Sequence, residues 1–118
     1  MAGDSVLVTG ASGGVGSAAI RLAKARGASV IAASNASKSQ MLRDIGADQT
    51  VDRGNNLVKS LGLSSIDIVI DLVAGPQWNE LLDVLKPGGR YAVSGVIGEV
   101  GYSNATLDRF ESLWMYRS

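Results

Sequence analysis

Four glycines fall within seven residues in the segment Thr9-Gly-Ala-Ser-Gly-Gly-Val-Gly16. The missing side chain at Gly13 lets backbone N–H groups approach a phosphate, and Gly16 lets a following helix lie close on the strand before it. A helix beginning at this turn would point its unpaired N–H groups and its positive dipole end at the same spot, which suits a pyrophosphate. Ala11, Ser12, Gly13, Gly14, Val15 and Gly16 are therefore the candidate anion-binding set. The competing reading is a strand-to-helix turn whose glycines serve packing alone, for which four are more than needed.

Other chemistry is closed off by what the chain lacks. It has no cysteine and no histidine, so disulfides, thiolate nucleophiles, Ser-His-Asp triads and the usual zinc sites cannot be built from its own residues. Any metal would rest on carboxylates alone, and no residue is assigned to metal binding or to catalysis. Asp67 and Asp71 bracket an apolar run. Asp71 is read as a cap on a neighbouring helix or loop, and Asp67 as a solvated strand start.

The glycine turn needs a strand before it and a helix after it, and the flanking residues supply both. Residues 5–9 form an apolar, β-branched run, and residues 14–26 read as a helix. Its expected buried face is Val15, Ala19, Leu22 and Ala23, and Gly27 stops it. Further strands are expected at 30–33, 49–52, 66–71 and 90–94. Helices are expected at 37–45, 57–61 and 77–85, with Lys86-Pro-Gly-Gly89 leading into the last strand. Short apolar strands alternating with helices describe an α/β domain with a doubly wound parallel sheet.

The 118 residues, 46% of them hydrophobic and 19% charged, suit one globular domain that buries roughly two-thirds of its unfolded surface. Eleven basic residues balance eleven acidic ones and aromatics make up only 5%, which argues against a nucleic-acid partner. No apolar stretch is long enough for a membrane span, and nothing near the start resembles a targeting signal. A cytoplasmic location is the default expectation. Residues 104–118 turn polar and helical, with a stripe of Leu107, Phe110, Leu113 and Trp114. That stripe needs a covering surface, and a homodimer is one expected solution.

Read alone, the turn fits two patterns: A-x-G-x-x-G from Ala11, or the T-G-x-x-x-G-x-G of short-chain dehydrogenases from Thr9. The remaining segments narrow the choice. Val6-Leu-Val-Thr-Gly-Ala-Ser-Gly-Gly-Val-Gly16, Ile45-Gly-Ala-Asp-Gln-Thr-Val-Asp52, Asp67-Ile-Val-Ile-Asp-Leu-Val-Ala-Gly75 and Leu82-Asp-Val-Leu-Lys-Pro-Gly-Gly-Arg90 follow one another in order. Together they resemble the nucleotide-binding domain of the medium-chain dehydrogenases/reductases, over residues 4–117. The alanine-first turn is most similar to the quinone oxidoreductase and zinc-type alcohol dehydrogenase-like branch. The Tyr-x-x-x-Lys pair of short-chain enzymes has no counterpart, since Tyr91 and Tyr102 are followed at the fourth position by Gly95 and Thr106 and Tyr116 by the chain end.

The resemblance implies a Rossmann fold and a parent oxidoreductase that moves hydride between a nicotinamide dinucleotide and a carbonyl, quinone or activated alkene. It also implies that residues 1–118 are one domain of a larger enzyme. A GroES-like catalytic domain would then lie outside them, as would any zinc ligands. By themselves these residues are expected to be inactive.

Rossmann domains selective for NAD place a carboxylate at the end of strand two. Ser34 holds that place here, and the chain has no acidic residue between Asp4 and Asp44. A 2′-phosphate would find donors in Ser34, Asn35 and Ser37 with Lys38 as the cation, so NADPH is expected over NADH. Arg53 stands where similar enzymes often carry Tyr, and would stack on adenine or pair with the phosphate. Val73, Ala74, Gly75, Gly95, Val96 and Ile97 would border the nicotinamide half. A methyltransferase-like domain is the competing enzyme class, and Ser34 argues against it because adenosine-binding relatives usually need an acid there. A non-catalytic nucleotide-binding module is the third reading.

Overall fold

The computed structural model describes residues 2–52, 54–73 and 78–93. Its five strands are β1 (Ser5–Thr9), β2 (Ser29–Ser34), β3 (Gln49–Asp52), β4 (Ile66–Asp71) and β5 (Leu85–Val93). The helices between them are α1 (Gly14–Ala25), α2 (Ser39–Asp44), α3 (Leu57–Leu61) and α4 (Trp78–Val84), with a 3-10 turn at Ala36–Lys38 ahead of α2. All strand pairs are parallel, in the order β3-β2-β1-β4-β5. The chain winds outward from β1 to β3, then crosses back to place β4 beside β1. The carboxyl ends of β1 and β4 thus flank the point where the winding reverses, which is where open α/β sheets bind ligands.

Alternation along β1 explains why both faces of the sheet are covered. Val6 and Val8 point into a cluster with Ile20, Ala23, Val30 and Leu42, under α1 and α2. Leu7 points the other way, into Leu57, Val69, Leu81 and Leu85, under α3 and α4. A strand covered on both faces favours apolar residues at successive positions, hence Val6, Leu7 and Val8 in β1 and Ile68, Val69 and Ile70 in β4.

The face of α1 and the start of β5 differ from what the sequence suggests. The buried side of α1 consists of Gly16, Ile20 and Ala23, while Val15 is 67% exposed and Leu22 56% exposed. Gly16 sets this phase, because its lack of a Cβ brings the first helical turn against the backbone of Gly10 and Ala11 and makes the 16, 20, 23 row the contact row. The last strand begins at Leu85, ahead of the Lys86-Pro-Gly-Gly89 segment that the sequence suggested as its approach. Leu85 pairs with Ile66 and Arg90 with Ile68, so the intervening residues bulge opposite Asp67. A Cβ on Gly89 would lie 2.8 Å from the Asp67 carbonyl oxygen, so glycine is what lets the bulge stay against β4. Ser94 and the 104–118 stripe lie outside the described residues.

The amino edge of the sheet is tied by carboxylates. Asp67 accepts the Ser5 N–H at 2.9 Å and Lys86 Nζ at 3.1 Å, joining β1, β4 and β5. It is a clamp, correcting its reading as a solvated strand start. Asp48 similarly accepts Lys24 Nζ at 2.6 Å and the Val30 N–H at 2.8 Å. The Ser5 N–H, then Lys86, hold the Asp67 carboxyl below its ordinary value, and Lys24, then the Val30 N–H, do the same for Asp48. A carboxylate whose pKa is lower folded than unfolded stabilises the fold above the unfolded pKa, and that stability is lost as pH falls through the folded value. Asp67→Asn should therefore lower the melting temperature at pH 7, with a loss of about 1 kcal/mol given its partial exposure. The gap to the wild type should close in melts run progressively below the ordinary carboxylate value of 3.8. A gap that stays constant from pH 7 to pH 2 would show that the charge is irrelevant.

Candidate nucleotide-binding site

The turn after β1 is held by its own backbone. Gly13 N–H donates to the Gly10 oxygen at 3.3 Å, Ser17 N–H to the Gly13 oxygen at 2.9 Å, and Ala11 N–H to the Ala33 oxygen of β2 at 3.4 Å. Gly10 has φ +62° and lies against the loop after β4, where a Cβ would meet Val73 Cγ2 at 3.2 Å. Ala11 is fully buried, whereas Ser12, Gly13, Gly14 and Val15 are exposed.

The glycines divide into two kinds. A Cβ on Gly16 would lie within 2.8 Å of three backbone atoms, so packing explains it. A Cβ on Gly13 would approach only the Gly10 oxygen, at 3.7 Å, and one on Gly14 would meet nothing within 4 Å. Packing does not account for these two, and both have backbone angles outside the positive-φ region. They leave the backbone open to solvent at the N-terminus of α1, whose first turn has no acidic residue and no side-chain cap. An arrangement of exposed N–H donors, bare backbone and positive dipole fits the pyrophosphate of a dinucleotide.

Ser34 ends β2 and is buried, while Asn35, Ser37 and Lys38 follow as exposed residues. Lys38 N–H donates to the Asn35 oxygen at 2.9 Å, closing the 3-10 turn that holds these side chains together. The structure thus gathers Ser34, Asn35, Ser37 and Lys38 at one end of β2. Arg53 lies outside the described residues.

One residue of this region escaped the sequence reading. Ser34 is the register partner of Asp52 at the end of β3, and paired residues on parallel strands share a face, about 4.8 Å apart. Asp52 is half-buried and accepts the Gly54 N–H at 2.9 Å through Oδ1. A search for acids along the chain stops at Asp44, whereas the strand ends place Asp52 next to Ser34. Aligning the expected ends of strands two and three was the available signal.

On the opposite side, Val73 is exposed beside Gly10. Ala74, Gly75, Gly95, Val96 and Ile97 lie outside the described residues. Asp71 is wholly buried at the end of β4 and accepts the Val73 N–H at 3.1 Å, so it does cap the following loop.

Comparison with known proteins agrees with this architecture. The profile of the family described as Zinc-binding dehydrogenase matches residues 14–115. The chain is 33% identical over 105 residues to a quinone oxidoreductase of Homo sapiens, covering 84% of this chain and 32% of that protein. It is 38% identical over 93 residues to an acryloyl-coenzyme A reductase of Metallosphaera sedula, covering 79% of this chain and 28% of that one. Among solved structures, an alcohol dehydrogenase superfamily protein from Novosphingobium aromaticivorans superposes with a TM-score of 0.75 at 29% identity, over 94% of this chain and 34% of its own. The chain therefore spans about a third of the length of these relatives. Over that span, the Rossmann sheet, the alanine-first glycine turn and the family match agree, and the chain belongs to the zinc-binding dehydrogenase family of medium-chain dehydrogenases/reductases.

Proposed function

We propose that the chain is the NADPH-binding domain of an oxidoreductase that transfers hydride between NADPH and a carbonyl, quinone or activated alkene. The observation that carries this reading is the bare, open backbone at Gly13 and Gly14 beside the N-terminus of α1. When bound, the nicotinamide ring supplies the hydride. The chain's own part is to bind and orient: N–H groups of the turn take the pyrophosphate, and Ser34, Asn35, Ser37 and Lys38 take the adenosine 2′-phosphate. Val73 contributes an apolar wall on the nicotinamide side. Zinc does not fit this chain's donors, which include neither imidazole nor thiolate.

Asp52 favours a second reading on one point. Its carboxylate beside Ser34 sets a negative charge against a 2′-phosphate and offers an acceptor to a ribose hydroxyl, as NADH would prefer. Against it stand Lys38 and the three polar donors at the end of β2, and the Gly54 N–H that already occupies Asp52 Oδ1.

Titration calorimetry separates the two readings. NADPH should bind more tightly than NADH, and Lys38→Ala should narrow the ratio by roughly 3- to 10-fold, as a partly solvated charge-assisted contact would. Equal affinities, or a preference for NADH, would sink the NADPH assignment. In steady-state assays with quinones, alcohols and enones, the chain by itself should show no cofactor turnover, since hydride transfer needs the reacting atoms held within about 3.5 Å.

A further inference from the structure

Asp71 has no solvent exposure, yet its carboxylate collects donors from three segments. Thr9 Oγ1 on β1 donates to Oδ1 at 2.7 Å, Tyr91 OH on β5 donates to Oδ2 at 2.5 Å, and the Val73 N–H after β4 donates to Oδ1 at 3.1 Å. Thr9 Oγ1 also accepts the Leu72 N–H at 3.1 Å. The last side chain before the glycine turn is thus bonded to the first two residues of the loop after β4, once directly and once through Asp71.

The same two segments touch sterically. A Cβ on Gly10 would meet Val73 Cγ2 at 3.2 Å and Leu72 Cβ at 3.3 Å. Sheet pairing does not require a carboxylate here, because the neighbouring pairs Val8↔Ile70 and Leu7↔Val69 are apolar. A buried carboxylate carries a desolvation cost that a well-packed apolar residue avoids. What the carboxylate adds is direction: each of its bonds fixes the height of one strand end relative to the others.

We infer that Asp71, with Thr9 and Tyr91, is a positioning set that fixes the distance between the turn for the pyrophosphate and the loop that borders the nicotinamide. This rests on the dinucleotide reading above. The Thr9 bond fixes the turn side, the Val73 and Leu72 bonds fix the loop side, and Tyr91 holds the carboxylate in plane from β5. Freed of these bonds, the loop drifts from the turn and a ligand spanning both loses contacts. A ligand confined to the adenosine side does not.

The test compares NADPH with adenosine 2′,5′-bisphosphate, which carries only the adenosine half. Tyr91→Phe removes one hydroxyl with little change of volume and guards against Asp71→Asn failing to fold. Each variant should weaken NADPH by roughly 10-fold and leave the bisphosphate within about 2-fold of wild type. Thr9→Ser, which keeps the hydroxyl, should retain the wild-type ratio of the two affinities, whereas Thr9→Val should not. Equal weakening of both ligands, or none, overturns the positioning role. A wild-type chain that binds neither ligand would instead defeat the dinucleotide reading itself, and this inference with it.

Discussion

Gly16→Ala should destabilise the chain by about 2–3 kcal/mol and remove dinucleotide binding, from the addition of one methyl group. The new Cβ would lie 2.6 Å from the Gly10 oxygen, 2.7 Å from Ala11 Cα and 2.8 Å from the Ala11 oxygen. All three are backbone atoms, so no flexible side chain can swing aside. Either α1 lifts away from the sheet, loosening Ile20 and Ala23 from their cluster, or the turn shifts and breaks its Ala11–Ala33 bond.

Gly13→Ala gives the contrasting result. Its Cβ has 3.7 Å of clearance and its backbone, at φ −77° and ψ 171°, accepts any residue. Stability should change by no more than about 0.5 kcal/mol, while the methyl group stands where a pyrophosphate would approach the backbone. Thermal melts and calorimetric titrations on the two variants separate the packing glycine from the binding glycine. If Gly13→Ala binds NADPH as the wild type does, the turn at the N-terminus of α1 is not where the pyrophosphate sits.

That division between glycines marks how far the sequence was legible. The bounds of β1, β3, α3 and β4 match those expected from the sequence, and for β1 and β4 the signal is a short run of β-branched and apolar residues that packing reinforces. The phase of α1 was not legible from periodicity, because Val15, Ala19, Leu22 and Ala23 make as good a stripe as Gly16, Ile20 and Ala23. Hydrophobicity scores Gly16 as neutral, and only its contact with Gly10 and Ala11 makes it the centre of the buried face. The start of β5 was hidden similarly: Lys86-Pro-Gly-Gly89 has the composition of a turn, yet stays beside β4 as a bulge. In the site, the glycine turn and the donors from Ser34 to Lys38 were legible because they are contiguous. Asp52 and the Thr9–Asp71–Tyr91 set were not, since strand register brings them together across long stretches of chain.

Strand register also shapes what Ser34→Asp should do. The substitution installs the ribose-binding carboxylate of an NAD-type site at the end of β2, and it does so opposite Asp52. Two carboxylates would then face a 2′-phosphate, so NADPH should weaken by roughly 10- to 100-fold. NADH gains an acceptor for its ribose hydroxyls and should hold or improve, reversing the order of affinity. Because Ser34 is buried, the new charge is costly in itself, and the like-charged pair should lower stability by about 1–2 kcal/mol. Asp52→Asn in the same chain removes the repulsion while leaving the amide oxygen to accept the Gly54 N–H. The double variant should therefore recover most of the melting temperature and keep the preference for NADH. Asp52→Asn alone should strengthen NADPH and leave NADH unchanged or weaker. Titrating both cofactors into the four proteins measures each term and the coupling between positions 34 and 52. An unchanged NADPH-to-NADH ratio in Ser34→Asp would mean that the end of β2 does not choose the cofactor.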